Sequence, residues 1–233
     1  MQRIKPAINE IYHLYNRGVE KRKIFLDDND YLRFVHDLFE FNDQNPTINL
    51  AYHIGYNKSK EVGLPKIERE PRQLLVELLI FCLMPNHFHL VVKQKVKNGI
   101  TEFMRKLGTG YTNYFNKKYE RVGSLFQGIF KIKHIINETH FVHLPYYIHC
   151  NPLDLIAPEW KKREFKNYHK IKQFLEFYRW SSHLDYLGKK NFPSVTQREF
   201  LLKYFGGHEQ YKKDMADWLR NLNLEEIKDV TLE

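Results

Sequence analysis

The run Leu83-Met84-Pro85-Asn86-His87-Phe88-His89-Leu90-Val91-Val92 constrains the fold of this chain more tightly than any other stretch. It opens on a proline–asparagine turn signal and continues as an alternating segment. Successive side chains on a strand point to opposite faces, so His87 and His89 share one face while Phe88 and Leu90 turn to the other, toward a core. With the apolar stretch before it, the run predicts a hairpin of residues 74–83 and 87–93 around Met84-Pro85-Asn86. Two imidazoles about 6–7 Å apart, twice the rise per residue, can close on one divalent cation. Further along, Tyr147 and Asn151 stand four apart, which puts a phenol and an amide on one face of a helix. Metal ligands facing a tyrosine are the ingredients of phosphoryl transfer through a tyrosine ester.

Each piece alone has an ordinary reading. With twelve histidines and fifteen tyrosines, a chance His-X-His pair or a packed tyrosine is commonplace. Two cysteines, Cys82 and Cys150, form no CxxC, which argues against a zinc knuckle or a disulfide scaffold and for small buried residues in a reducing cytoplasm. No apolar run approaches the roughly 18 residues of a membrane span, so no membrane association is expected. The net charge of +9, from 37 basic and 28 acidic residues, favours a polyanionic partner, nucleic acid first. Lys161, Lys162, Arg163, Lys166, Lys170 and Lys172 crowd a segment that also carries Phe165, Tyr168 and Phe174. That interleaving suits phosphate contacts with base stacking, and equally a solvated basic linker.

Along the chain, residues 8–17 read as a strand, with a short extended piece at Ile24-Phe25. Asp28 or Asn29 can cap a helix burying Tyr31, Phe34, Val35, Leu38 and Phe41. Residues 47–54 suggest a strand, and about 55–73 a polar insertion punctuated by Gly and Pro. After the hairpin, Thr101 opens a helix with Phe103, Met104, Leu107, Tyr111, Tyr114 and Phe115 inward, which Gly108 and Gly110 weaken. Residues 126–136 read as a strand, and Asn137 caps the helix that carries Tyr147 and ends at Asn151-Pro152. This order predicts an α+β layered domain, residues 1–157, with an antiparallel sheet flanked by helices. Residues 158–233 read as a helical, basic C-terminal extension packed on it.

Five ordered motifs carry a resemblance. These are Tyr12-His13-Leu14-Tyr15-Asn16-Arg17-Gly18, Met84-Pro85-Asn86-His87-Phe88-His89, Gly123-Ser124-Leu125-Phe126-Gln127-Gly128, Tyr147-Ile148-His149-Cys150-Asn151-Pro152 and Tyr178-Arg179-Trp180-Ser181-Ser182. Together, over about residues 8–188, they resemble the single-tyrosine HUH transposases, and within them the REP-associated tyrosine transposases. The resemblance implies a ferredoxin-like HUH fold. It also implies Tyr147 as nucleophile, His87, His89 and Asn151 as ligands of Mg²⁺ or Mn²⁺ (zinc would also suit), and a 5′-phosphotyrosine link to single-stranded DNA bearing hairpins. Asn16 and Arg17 are implied DNA contacts, with Lys131 and Lys133 on weaker grounds. Alternation with Tyr15 brings His13 toward the same metal, where a core or hydrogen-bonding role is the plainer reading. Tyr146 is excluded as nucleophile because a helix turns about 100° per residue, leaving only Tyr147 on the face of Asn151. The expected protein is cytoplasmic, a monomer or homodimer.

Two departures matter. Ile129 stands where the family usually has an arginine, and Pro145 predicts that the helix of Tyr147 begins or bends near it. They motivate an alternative, a domesticated hairpin-binding protein with little cleavage. A third reading is a metal phosphodiesterase that uses water.

Overall fold

Strand β1 (Ile11–Arg17) sits inside a four-stranded antiparallel sheet of order β2-β3-β1-β4, formed with β2 (Val76–Met84), β3 (His87–Gln94) and β4 (Lys131–His134). Helix α1 (Asp28–Glu40) follows β1, and α2 (Gly99–Lys118) follows β3. Together they give the β-α-β-β-α-β order of a ferredoxin-like fold, as the HUH resemblance implied. The computed structural model describes residues 5–46, 71–162 and 167–221. The strand expected at 47–54 and most of the insertion at 55–73 lie outside them.

Pleating divides the sheet into two buried faces. Tyr12, Leu14, Leu78, Phe81, Phe88, Leu90 and Val92 meet Phe34 and Leu38 of α1 and Phe103, Leu107 and Tyr111 of α2. Phe34 packs edge-on against Tyr111 at 4.9 Å and lies 5.1 Å from Phe88. The cap of α1 is Asp27, one residue earlier than expected, whose carboxylate accepts from the Asp30 amide at 3.0 Å. Helix α2 runs through Gly108 and Gly110 although each costs about 1 kcal/mol against alanine. At Gly110 the reason is space, since a Cβ there would lie 2.4 Å from the Phe41 ring.

The hairpin turn is pinned from outside. Pro85 O accepts from the Ile24 and Phe25 amides at 2.7 and 3.2 Å, and Asn86 O from Gly18 at 2.8 Å. The free edge of β2 is covered by the Trp180-Ser181-Ser182 segment, with Leu83 N donating to Trp180 O at 2.9 Å and Ser182 N to Phe81 O at 3.0 Å. That motif thus closes a sheet edge. Strand β4 is shorter than the expected 126–136. Gly128, at φ 69°, bends the chain out of the ladder, and Gln127 N instead donates to Arg17 O at 2.8 Å.

The second face carries Ile80, Cys82, Met84 and Val91. Against it lies α3 (Glu138–Cys150), capped by Asn137, whose Oδ1 accepts from His140 N at 2.7 Å. The helix begins at that cap, well before Pro145, and continues through it, contrary to a start at the proline. Two 3₁₀ turns follow, Asn151–Leu155 and Pro158–Lys162, then α4 (Tyr168–Phe177), α5 (His183–Tyr186), α6 (Glu199–Tyr204) and α7 (His208–Arg220). Trp160, Leu175, Tyr186, Phe205, Tyr211 and Trp218 join α3 and the sheet in one apolar cluster. Tyr168 and Phe174 pack partly buried against it, so neither ring stands out for base stacking; Phe165 lies outside the described residues. Both cysteines are buried thiols. Among the described residues, no helix is long and apolar enough to cross a membrane.

Candidate active site

Register decides which side chains meet. Residues directly opposite one another in a sheet share a face. On β1 and β3, Arg17 opposes His87, Tyr15 opposes His89 and His13 opposes Val91. On β4, Lys131 opposes Tyr15 and Lys133 opposes His13. One face therefore collects both histidines, His13, Tyr15, Arg17 and the two exposed lysines. Asn16 opposes Phe88 and belongs to the other face. Its amide donates to Gly128 O at 3.2 Å and its Oδ1 accepts from Arg17 N at 2.9 Å, bracing the bend that ends β1.

The His87 and His89 rings lie 5.1 Å apart and nearly perpendicular. His87 Nδ1 is 2.7 Å from Asn86 Oδ1, an oxygen that can only accept, so the proton sits on Nδ1 and Nε2 keeps its lone pair. His89 is fully buried. Its Nδ1 is 2.9 Å from His13 Nε2, while its Nε2 has no hydrogen-bond partner. Burial is the main cause that lowers the pKa of His87 to about 4 and holds His89 well below the usual imidazole range. Both rings are therefore neutral at neutral pH, the form that binds metal.

Helix α3 brings Tyr147 over this pair. Its ring meets His89 edge-on at 6.5 Å between centroids and is 2% exposed. Asn151 caps the helix and donates from Nδ2 to Tyr147 O at 3.1 Å, so its Oδ1 is turned toward the imidazoles. That oxygen favours the charged form of both rings, yet it completes no hydrogen bond to His89 Nε2. Tyr146 points elsewhere, into Phe205 and Tyr211 at 5.3 Å each and Trp218 at 5.8 Å.

These donors fit a divalent cation. The test is the buried, partnerless His89 Nε2, beside a second imidazole of fixed tautomer and an amide oxygen. Each ring is oriented through its other nitrogen, as metal-bound histidines are. Among the described residues, no three of His, Cys, Asp or Glu cluster to hold a metal, so the third protein donor would be Asn151.

Several neighbours were not singled out for this site by sequence. Asn86 fixes the His87 tautomer, and its place just before the pair was the available signal. Asp154, Trp160 and Lys161 arrive from the turns after α3, with no signal in spacing. Arg17 Nε donates to Gln127 Oε1 at 2.5 Å, beside a cleft of about 300 Å³ that Tyr15, Asn16 and Lys131 also line. Ile129, in place of the expected arginine, is 61% exposed.

The site is thus a paired-histidine strand facing a helical tyrosine on a ferredoxin-like sheet. The family model for IS200-like transposases matches residues 64–151, so that stretch, which contains His87, His89, Tyr147 and Asn151, is similar to these transposases. Among curated proteins, none matches the chain. Among solved structures, a REP-associated tyrosine transposase bound to a REP hairpin is similar, at 13% identity and a TM-score of 0.42, over 75% of this chain and 87% of that one. A bacterial tRNA(His) guanylyltransferase-like protein in complex with ATP is also similar, at 9% identity and a TM-score of 0.36, over 76% of this chain and 71% of that one. At these scores neither likeness bears on chemistry.

Proposed function

We propose that the chain cleaves and rejoins single-stranded DNA, with Tyr147 as nucleophile and His87, His89 and Asn151 as ligands of Mg²⁺ or Mn²⁺. The observation that carries this reading is the meeting of the Tyr147 ring with His89, whose buried Nε2 lacks a protein partner. A phenol with a pKa near 10 is a poor nucleophile at neutral pH and requires activation. When bound, a divalent cation supplies charge that polarises the scissile phosphate and favours the attacking oxygen's deprotonation. Asn151 ties nucleophile and ligand set together through one amide, which lowers the entropic cost of orientation. Tyr147 Oη bonds to phosphorus as the bond to O3′ breaks, the departing oxygen takes up a proton, and a 5′-phosphotyrosine remains. Attack by another 3′-hydroxyl reverses the step, so no energy cofactor is consumed.

Arg17, Lys131 and Lys133 share the face of the histidine pair and suit phosphate contacts to the strand; Asn16 supports Arg17 rather than facing the same way. Hairpin-bearing single strands are the proposed partner, bound in the cytoplasm by a monomer or homodimer.

The experiment is incubation with end-labelled single-stranded hairpins and Mn²⁺. A covalent, protease-sensitive adduct is expected. Tight hairpin binding without any adduct would favour the domesticated binder, the reading that the exposed Ile129 supports. Cleavage without an adduct would favour water as nucleophile.

A further inference from the structure

Lys161 belongs by sequence to the basic run and by position to the candidate site. Its Nζ lies 5.9 Å from the centroid of the Tyr147 ring and 3.3 Å from Asp154 Oδ2, with the side chain 20% exposed. Asp154 Oδ1 also accepts from Trp160 Nε1 at 2.6 Å, and the fully buried Trp160 ring packs 5.9 Å from Tyr147. The next lysine, Lys162, is simply exposed. A lysine side chain loses rotamer entropy when it is held in place, so fixing an ammonium beside two aromatic rings has a cost. Tethering the 3₁₀ turn does not require it, because the bond from Trp160 to Asp154 already does that. Arg17 opposes His87 on the same face of the sheet, so cations from two separate elements flank the pair, which suits an anion arriving between them.

We infer that Lys161 is a phosphate-binding residue of this site, its ammonium held by Asp154 beside Tyr147 to receive a non-bridging oxygen of the DNA phosphate presented to that tyrosine. The inference rests on Tyr147 being the nucleophile only for which phosphate is bound. A lysine serves as a compact point charge with several donors, which tolerates the changing geometry of a reacting phosphate. The site then extends past the family-matched stretch into the turn that follows α3.

The test uses a labelled single-stranded DNA hairpin in two settings. In a Tyr147→Phe background, where no chemistry intervenes, affinity is measured against NaCl. Each phosphate neutralised on a single strand contributes about 0.7 to the log–log slope, so Lys161→Met should lower the slope by about 0.7 and Lys161→Arg should leave it unchanged. With Tyr147 intact, single-turnover adduct formation should fall at least tenfold in Lys161→Met and be largely restored in Lys161→Arg, at similar melting temperature. An unchanged slope in Lys161→Met overturns the inference, whatever the adduct does. So does an equal slope loss in Lys161→Arg with a lowered melting temperature, which marks a structural lysine. If Lys161→Met does not fold, Lys161→Gln replaces it in both settings. A slope loss in a protein whose Tyr147 form makes no adduct keeps the phosphate contact and removes the nucleophile assignment instead.

Discussion

Manganese should stabilise this protein, and His87→Ala should abolish that effect at little cost to the metal-free fold. An ion that binds only the folded state adds about 2.7 kcal/mol at a hundred times its Kd. At about 2–4 °C per kcal/mol for a chain of this size, the melting temperature should rise by about 5–11 °C. Part of the drive is local, since an unsatisfied buried polar atom such as His89 Nε2 costs about 1–3 kcal/mol that a ligand bond would relieve. His87 is the cleaner position to change. It is partly buried, and alanine removes one bond to Asn86, worth about 1 kcal/mol, or about 2–4 °C in the metal-free protein. His89→Ala would also open space in a packed core and remove the contact of its Nδ1 with His13 Nε2. The assay is thermal unfolding in EDTA and across a MnCl₂ titration. If His87→Ala keeps the wild-type manganese shift, the ion binds elsewhere. If wild type shows none up to millimolar Mn²⁺, the imidazole pair is not a metal site.

Three further outcomes are expected. Replacing His87 and His89 together by alanine should abolish metal-dependent cleavage and leave hairpin affinity largely intact, measured by gel assay and anisotropy, because phosphate contacts supply affinity and the ion acts on the reacting phosphate. Hairpin binding should fall steeply with salt, with a log–log slope of roughly −4 for about six neutralised phosphates, and alanine at Arg17, Lys131 and Lys133 together should remove about 2 of that. Burial raises the Asp37 carboxyl to about 6 despite the Arg33 guanidinium at 2.9 Å. A raised pKa means the folded state holds the proton more tightly, so this contribution is full below about pH 4 and is lost as pH rises through about 6. Urea midpoints should therefore favour Asp37→Asn over wild type progressively more from pH 4 to pH 7.

Much of the site was legible because it depends on local periods. A repeat of two put His87 and His89 together, and the helical repeat separated Tyr147, on the side of His89, from Tyr146, on the side of Phe205 and Tyr211. The fold order was legible for the same reason. What was not legible depends on pairing between distant segments. His13 touches His89 only because β1 and β3 adopt one register, and Asn16 faces away for the same reason. The late start of β4 follows one glycine at positive φ, and Gly110 is tolerated in α2 because Phe41 lies against it. Pro145 stays inside α3 although it forfeits a backbone hydrogen bond, since the Asn137 cap and burial of the helix's second half hold it there. The arrival of Trp160 and Lys161 at Tyr147 follows from two 3₁₀ turns that no periodicity announces.

The most direct measurement compares Tyr147→Phe with Tyr146→Phe for covalent capture of a labelled single-stranded hairpin in Mn²⁺, read as a shifted band on a denaturing gel. Each change removes one oxygen and keeps the ring, so packing at both positions is largely preserved. Loss of the adduct in Tyr147→Phe with most of it kept in Tyr146→Phe is the predicted result. An adduct that survives Tyr147→Phe and disappears in Tyr146→Phe would contradict the assignment of the nucleophile and with it Asn151 as a ligand.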